Sequence, residues 1–348
     1  MFQRILLFLS LFIFSVAAEA KEIVIYHTTD IYGSFAGQTD EEGNQYGGFA
    51  RLAALIKETK QPYLLLDSGD FNSNQAVFSE GAYTIDLMNK VGYNAITLGN
   101  HDAAFNSEGL ADVLSNFHGD ILAMNVTGIN MPKKQIKENN IYKVGGIKVG
   151  VIGVARGDSD SDVKINTPST ADFEEQIQTL KGNGAEVIII LAHDSMLNKE
   201  NIPENKKSNI LQSIINTASF GELSLMLGGH ALTPVLVGRL TNKDTKGPWI
   251  LESAPYLQSV TKIVIDKDKK TGKISVKEPQ FIKLNGKEDK KIKRYVDLIV
   301  GVQKATENTE EETVTEQEIP ANTSDATAVT PAPVGNKVKP EQKNKKQK

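Results

Sequence analysis

The sequence predicts an α/β fold in which two sheets pack face to face with helices outside. Short apolar, β-branched runs alternate with longer amphipathic stretches between residues 22 and 230. Strands that alternate with helices pair in parallel and are covered by those helices. After residue 234 the pattern changes to four strand-like segments separated by turn residues, which predicts a second and largely antiparallel region.

The alternating part begins with a strand in "EIVIYHTTD" and a helix in "GGFARLAALIKET", whose apolar residues recur at helical spacing. Five more strands are predicted in "YLLLDSGD", "YNAITLGNHD", "KVGVIGVA", "EVIIILAHD" and "ELSLMLGGH". The helices between them are predicted in "GAYTIDLMNKVG" and "SEGLADVLSNF", from Asp172 to Lys181, and around residues 207–219.

The later strand-like segments are "PVLVGRL", "GPWILESA", "VTKIVIDKD" and "GKISVKEPQFIKL". A helix from Asp289 to about Val302 follows them, so the globular part is predicted to span residues 21–302. This length can bury a large core and fits one α/β domain better than two average ones.

Both ends of the chain are predicted to lie outside this domain. Residues 1–20 contain one arginine, a short apolar stretch and Ala-Glu-Ala, the pattern of a secretory signal peptide cleaved after Ala20. An uncleaved membrane anchor is the alternative. Residues 303–348 have no aromatic residue, a cluster of acids and a basic end, and we expect a disordered, low-complexity tail. A tether to the cell wall or membrane is the alternative for the tail.

The composition of the chain limits its chemistry and its partners. There is no cysteine, so a metal would be held by Asp, Asn and His, which suit hard or borderline cations. An export signal without cysteine favours a bacterial periplasm or cell envelope over a eukaryotic secretory route. A net charge of −4 argues against nucleic acid as the main partner.

Polar side chains follow five separate predicted strands, at the point where each strand ends. They are Asp30, Asp70, the run Asn100-His101-Asp102, His193 and His230. In open α/β sheets, ligands bind outside the carboxyl ends of strands. Taken singly, Asp70 could be a turn or helix-cap residue and Asn100 a turn residue. Five such strand ends in one series predict a metal or phosphate site.

Two of the five histidines are not assigned to this site. His27 stands near the end of the first strand and is interpreted as structural, hydrogen-bonded within its loop. His118 is predicted on the surface of a helix or loop.

Five sequence blocks, in their order and spacing, resemble those of the calcineurin-like metallophosphoesterases: "TTDIYG", "LLLDSGD", "AITLGNHD", "VIIILAHDS" and "GGHALTP". Within that family the chain is similar to the catalytic domain of bacterial 5′-nucleotidases and UDP-sugar hydrolases over nearly all of residues 22–302. The resemblance implies a four-layer α/β/β/α sandwich with two mixed sheets. It also implies a two-metal site that hydrolyses a phosphate ester with metal-activated water.

The resemblance implies a role for each polar residue. Asp30 matches a first-metal ligand, and Asp70 matches the carboxylate that bridges two metals. His101 matches the catalytic histidine that meets the phosphoryl oxygens or the leaving group, with Asp102 as its orienting partner. The second-metal set is complete: Asp70, Asn100, His193 and His230.

Two positions depart from the family pattern, and both belong to the first metal. Tyr32 stands where the family has the histidine of its Asp-x-His block, and Leu232 replaces the last histidine of Gly-His-x-His. Leucine has no donor atom, and a tyrosine with an ordinary pKa near 10 binds metal only beside a strongly acidifying ion. We therefore expect one divalent ion (Mn, Zn, Fe or similar), with two as the alternative.

Two functions stay open at this point. The first is an exported metallophosphoesterase of the 5′-nucleotidase type, active with one metal or with an altered second one. The second is a non-catalytic relative in the envelope, a pseudoenzyme that binds a ligand or a partner. The family's nucleotidases carry a C-terminal nucleoside-binding domain, and we expect the predicted tail not to replace it. We therefore expect a small phosphoester or nucleotide-like ligand without more exact specificity.

Overall fold

The computed structural model describes residues 21–73, 78–104, 106–131, 134–157, 162–195, 209–242 and 245–315. The predicted signal peptide and residues 316–348 of the predicted tail lie outside the described residues, so both stay predictions. The chain divides into two compact units, of which the first ends at Gln303 and the second begins at Lys304.

The first sheet contains seven strands of the described chain. Its parallel part runs from β1 (Lys21–Thr28) to β4 (Tyr63–Asp67), β5 (Ala95–Ile96) and β6 (Asp120–Ile121). On the other side of β1 lies the antiparallel strand β15 (Ser259–Lys267), which carries β16 (Ile274–Val276) and β17 (Gln280–Lys283).

The second sheet contains six strands of the described chain, and its four central strands are parallel. They are β9 (Ile147–Val154), β11 (Val187–Ala192), β12 (Leu225–Gly228) and β14 (Thr245–Glu252). The edges are antiparallel: β8 (Asn139–Val144) beside β9, and β13 (Val235–Asn242) beside β14. Two small ribbons join β2 (Gln38–Thr39) to β3 (Gln45–Tyr46), and β7 (Val126–Thr127) to β10 (Lys164–Ile165).

The strands after residue 234 pair largely in the antiparallel sense, as predicted, but the prediction that they form a second region is wrong. β13 and β14 extend the second sheet, and β14 pairs with β12 in parallel. β15, β16 and β17 extend the first sheet. The segment predicted as one strand, "GKISVKEPQFIKL", forms two short strands, because Pro279 between them has no N–H to donate to a ladder.

The predicted helices are present. They are α1 (Phe49–Glu58), α2 (Phe78–Val91), α3 (Ser107–Ser115), α4 (Thr170–Gly182), α5 (Asn209–Ile215) and α6 (Lys290–Thr315). A capping box of Ser169 and Asp172 starts α4. Helix α6 continues beyond its predicted end near Val302, so the first part of the predicted tail is helical; its Ala, Lys, Gln and Glu are good helix formers. Among the described residues, no helix has the length and apolarity that crossing a membrane needs.

Three apolar layers hold the sandwich together, and the period-two alternation of the strands sorts side chains between them. In β1, Ile23 and Ile25 face the second sheet, whereas Val24 and Tyr26 face α1, α2, α3 and α6. In β11, Ile189 faces the first sheet. Its neighbours on the other face pack on α4 and α5. The predicted four-layer α/β/β/α sandwich with two mixed sheets is confirmed.

Candidate metal centre

Residues from the ends of both sheets meet in one polar cluster. The first sheet contributes Asp30 after β1, Asp70 after β4, and Asn100 and His101 after β5. The second sheet contributes His193 after β11 and His230 after β12. Direct contacts join the two groups, because His193 lies against Asp70 and the backbone N–H of His230 donates to Asp30.

The backbone at this cluster is held in a conformation that non-glycine residues rarely adopt. Positive φ angles occur at five predicted positions: Asp30 (53°), Tyr32 (50°), Asp70 (56°), His230 (73°) and Leu232 (56°). Each such residue costs about 1–3 kcal/mol and persists only where the surrounding structure fixes it. Close packing here also requires glycine, since a Cβ at Gly99 would overlap Oδ1 of Asp70. The surrounding structure therefore fixes the backbone of these loops and the orientation of their side chains.

Asp70 is the centre of the cluster and is fully buried. Its Oδ1 accepts the backbone N–H of His101 at 2.9 Å, and its Oδ2 lies 3.1 Å from Nε2 of His193. Nε2 of His101 is 3.8 Å from the same Oδ2. Burial acts to raise the pKa of Asp70, but the two neighbouring imidazoles outweigh it and hold the pKa below its usual value. Asp70 is therefore a carboxylate, the form that binds cations.

His193 is oriented as a metal ligand. Its Nδ1 donates to the carbonyl oxygen of Ser68 at 2.8 Å, which directs Nε2 towards Asp70. That Nε2 is buried and, among the described residues, has no partner in hydrogen-bond geometry. Burial acts to lower the pKa of His193, but the charge of Asp70 raises it to about 10. A buried nitrogen beside a carboxylate, without a proper hydrogen bond, fits a site for a cation.

His230 and Asn100 complete this half of the cluster. Nδ1 of His230 is 3.1 Å from Oδ1 of Asn100, and its ring stands edge-on to that of His193 at 5.5 Å. Burial and the positive charge of Arg156 lower the pKa of His230, so its ring is neutral. Ligand atoms of Asp70, His193 and His230 lie within 4.8 Å of one another. These donors fit one borderline divalent ion.

The residues at the first-metal positions do not fit a second ion. The hydroxyl of Tyr32 lies 3.0 Å from Oδ1 of Asp30 and 3.0 Å from Oδ2 of Asp70, and it donates to this pair. Burial and the two carboxylates raise the pKa of Tyr32 far above its usual value, so the phenol keeps its proton. Leu232 is 48% exposed and has no donor atom.

The structure differs from the sequence prediction at Asp102. Its carboxylate accepts the backbone N–H groups of Asp70 (2.8 Å), Asn72 (3.1 Å) and Gly99 (2.8 Å). No ion pair or hydrogen bond joins it to the ring of His101, although both residues are described. Asp102 therefore braces two loops of the site and does not orient the histidine. Burial and the charge of Asp70 hold its pKa well above the usual value.

The interpretation of His27 as structural agrees with its surroundings. The ring is fully buried, with Nε2 2.8 Å from the hydroxyl of Ser68 and Nδ1 2.8 Å from that of Ser253. These partners come from two other segments, and not from the histidine's own loop as predicted. Burial lowers the pKa of His27 to about 3. His118 is exposed, as predicted.

Sequence reasoning missed two residues at the rim. Arg156 follows β9 and donates from a terminal guanidinium nitrogen to Oδ1 of Asp194 at 2.6 Å. Its position just after a strand could have drawn attention to Arg156, but arginine is not a metal ligand. Tyr256 lies in the loop after β14, where its backbone N–H donates to the carbonyl oxygen of Asp30 at 2.8 Å. Its ring is 5.4 Å from that of Tyr32, a placement that no local sequence signal indicates.

The sandwich and its strand-end site define a protein of the metallophosphoesterase class. The chain belongs to the calcineurin-like phosphoesterase family, whose model matches residues 23–234. The strand-end residues Asp30, Asp70, Asn100, His193 and His230 all lie within that match.

Relatives and solved structures agree with this assignment. "Protein 5NUC" of Lutzomyia longipalpis is 32% identical over 264 residues, which cover 68% of this chain and 44% of that protein. The snake venom 5′-nucleotidase of Gloydius brevicauda is 28% identical over 250 residues, covering 64% and 39%. The chain thus spans about two fifths of the length of these relatives.

Similar structures confirm the fold. The 5′-nucleotidase precursor from Thermus thermophilus superposes with a TM-score of 0.65 at 20% identity, covering 82% of this chain and 59% of that one. The calcineurin-like phosphoesterase YfkN from Bacillus subtilis gives 0.62 at 18% identity, covering 81% and 98%.

Proposed function

We propose that the chain is a metal-dependent phosphoesterase of the 5′-nucleotidase type that works with a single divalent ion. One observation carries the proposal. Asp70, His193 and His230 converge with geometry suited to one ion, while Tyr32 takes the space between Asp30 and Asp70. We further propose Mn, Zn or Fe as the ion, because the donors are one carboxylate and two imidazoles with an amide nearby.

The metal and the chain divide the chemistry. When bound, the ion supplies Lewis-acid polarisation of a phosphoryl oxygen and acidifies water. The chain supplies His101, whose side chain is 24% exposed and whose backbone is fixed by Asp70. That ring is within reach of a ligand and can give a proton to the leaving-group oxygen. Asp102 acts indirectly, because it holds the loop on which His101 stands.

The hydroxyl of Tyr32 offsets part of the negative charge that a second cation would neutralise. Asp30 and Asp70 would repel each other as bare carboxylates in a buried site. The phenolic proton lies between them and reduces this repulsion, and the backbone N–H of His230 donates to Asp30 as well. Asp70 therefore keeps its position without a second ion. Turnover is expected to be slower than with two ions, since less positive charge meets the phosphoryl group.

The substrate we propose is a small phosphoester, nucleotide-like or otherwise. Support comes from the relatives, which are named as 5′-nucleotidases, although the chain spans only part of their length. We also propose export to a bacterial periplasm or envelope, on the strength of the predicted signal peptide in residues 1–20. A relative that binds phosphoesters without hydrolysing them is the competing function.

Metal analysis combined with turnover separates these functions. The full chain is loaded with Mn²⁺ or Zn²⁺, bound metal per chain is measured, and p-nitrophenyl phosphate, adenosine 5′-monophosphate and a phosphodiester are assayed. We expect about one ion per chain and turnover that Asp70→Asn and His101→Gln abolish. His118→Gln, an exposed histidine, is the matched control. One bound ion without turnover on any substrate would leave the binding protein as the function.

A further inference from the structure

Arg156 stands at a strand end of the same kind as the proposed metal-binding residues but is not one of the proposed ligands. It stands two residues after β9, which is parallel to β11 and in register with it, with Val154 opposite Ala192. Its backbone N–H donates to the carbonyl oxygen of Leu98 at 3.0 Å, in the segment that leads to Asn100. Its side chain reaches Asp194, the neighbour of His193. Arg156 is therefore tied to both sides of the metal centre.

The guanidinium of Arg156 is anchored but only partly used. One terminal nitrogen donates to Oδ1 of Asp194, which also accepts the backbone N–H of Ser195 at 3.0 Å. The Asp194 side chain is 4% exposed, whereas that of Arg156 is 37% exposed. A guanidinium has five N–H donors. No other hydrogen bond of this group occurs among the described residues, so donors remain for a ligand.

The guanidinium of Arg156 lies beside the metal centre, because it is held by Asp194, which directly follows His193 in the chain. The site also contains the buried carboxylates of Asp30 and Asp70, which repel an anion. With a single divalent ion, a dianionic ligand needs further positive charge nearby. The planar fork of an arginine matches two oxygens of a phosphate group.

We infer that Arg156 is a substrate-binding residue that hydrogen-bonds the unesterified oxygens of a phosphate monoester on the side of the site formed by the ends of β9 and β11. The inference rests on the proposed function for the identity of the substrate, and names its class. A monoester dianion offers more charge and more free oxygens than a diester monoanion. Arg156 therefore favours monoesters over diesters.

Binding of inorganic phosphate tests this assignment without turnover. The full chain, loaded with Mn²⁺, is titrated with inorganic phosphate in a calorimeter at fixed ionic strength. Arg156→Gln is expected to weaken phosphate binding about 10- to 100-fold, the usual loss for a charged hydrogen bond. Arg156→Lys keeps the charge but loses the fork and should fall between the two. Arg294→Gln, an exposed arginine on α6, is the control and should bind like the wild type.

Metal content and thermal unfolding are measured for each variant, since Asp194 loses its partner in Arg156→Gln. If that variant does not fold, Arg156→Lys decides through the ratio of kcat/KM for a monoester to that for a diester, which should fall. Unchanged phosphate affinity in a folded, metal-loaded Arg156→Gln overturns the inference, as does a wild type that binds no phosphate. Weakened phosphate binding in a protein without turnover supports Arg156 while rejecting the proposed hydrolysis.

Discussion

The hydroxyl of Tyr32 donates to Oδ2 of Asp70 at 3.0 Å, and that oxygen lies 3.1 Å from Nε2 of His193. One carboxylate oxygen is thus shared by a phenol and an imidazole. The family resemblance predicts that this carboxylate joins two cations. In this chain a phenol lies on one side of the carboxylate and His193, a proposed ligand of the single ion, lies on the other.

Removing the phenolic hydroxyl is expected to destabilise the protein. In Tyr32→Phe, the buried carboxylates of Asp30 and Asp70 lose a shared donor, so we expect the free energy of unfolding to fall by about 1–3 kcal/mol. Urea denaturation in the presence of a chelator measures it. Tyr256→Phe is the matched control, because its hydroxyl has no hydrogen bond among the described residues. An unchanged stability of Tyr32→Phe would mean that water or relaxation replaces the phenol.

Restoring two histidines is expected to restore a second ion. Asp30 and Asp70 are in place, and the left-handed backbone at Tyr32 and Leu232 is one that histidine tolerates comparatively well. Tyr32→His combined with Leu232→His should therefore raise bound Mn²⁺ from about one to about two per chain and increase turnover. Each single variant is the control and should stay near one ion. A double variant that still binds one ion would show that more than these two ligands is missing.

Substitutions of Asp102 and His101 are expected to have different effects, the first on stability and the second on turnover. Asp102→Ala leaves three buried backbone N–H groups without an acceptor, and we expect a loss of at least about 3 kcal/mol in the free energy of unfolding. The ring of His101 has no hydrogen bond within the described chain. His101→Gln should therefore lower kcat with little change in stability. Asp112→Ala, an exposed acid on α3, controls for charge. Equal stability of the Asp102 and Asp112 variants would contradict the bracing role.

His27 gives the protein a defined sensitivity to acid. Its pKa is about 3 in the folded state and 6.5 as an ordinary histidine, so between these values only the unfolded chain takes up a proton here. The free energy of unfolding should therefore fall as the pH drops below about 6.5, by about 1.4 kcal/mol per pH unit once the unfolded histidine is charged.

The variant His27→Gln removes this contribution and should flatten the dependence of stability on pH between 6 and 4. Denaturant unfolding is followed at several pH values with a chelator present, so that protons and metal do not compete. His118→Gln should keep the wild-type slope, because that histidine is exposed in both states. A His27→Gln slope equal to that of the wild type would contradict the buried, neutral ring.

Most of the fold could be predicted from the hydrophobic pattern, because strands buried on both faces read as short apolar runs and each helix buries one periodic face. The neighbours of the late strands could not, since β14 and β15 have similar apolar patterns yet join different sheets. Which sheet receives a strand depends on packing across the whole sandwich. Two-residue strands such as β5 leave almost no periodic signal, although β5 positions Asn100 and His101.

The sequence indicates which residues meet at the candidate site more fully than it indicates their contacts. A strand end with a polar residue is visible in the sequence, and the rule brought together residues from both sheets. The bracing role of Asp102 was not visible, because its partners are backbone N–H groups rather than side chains. Tyr256 and Leu257 both have positive φ angles although neither is glycine, and this backbone places Tyr256 at the site. No turn signal marks such a loop.

The ligands of the proposed ion come from separate sheets: Asp70 and Asn100 from the first, His193 and His230 from the second. An ion bound by this set would link the two sheets of the sandwich. Its binding free energy would then add to the cohesion of the sheets, and metal depletion would loosen the protein at this edge first. Amide hydrogen exchange after β4 and β11 would therefore report whether metal is bound without any assay of turnover.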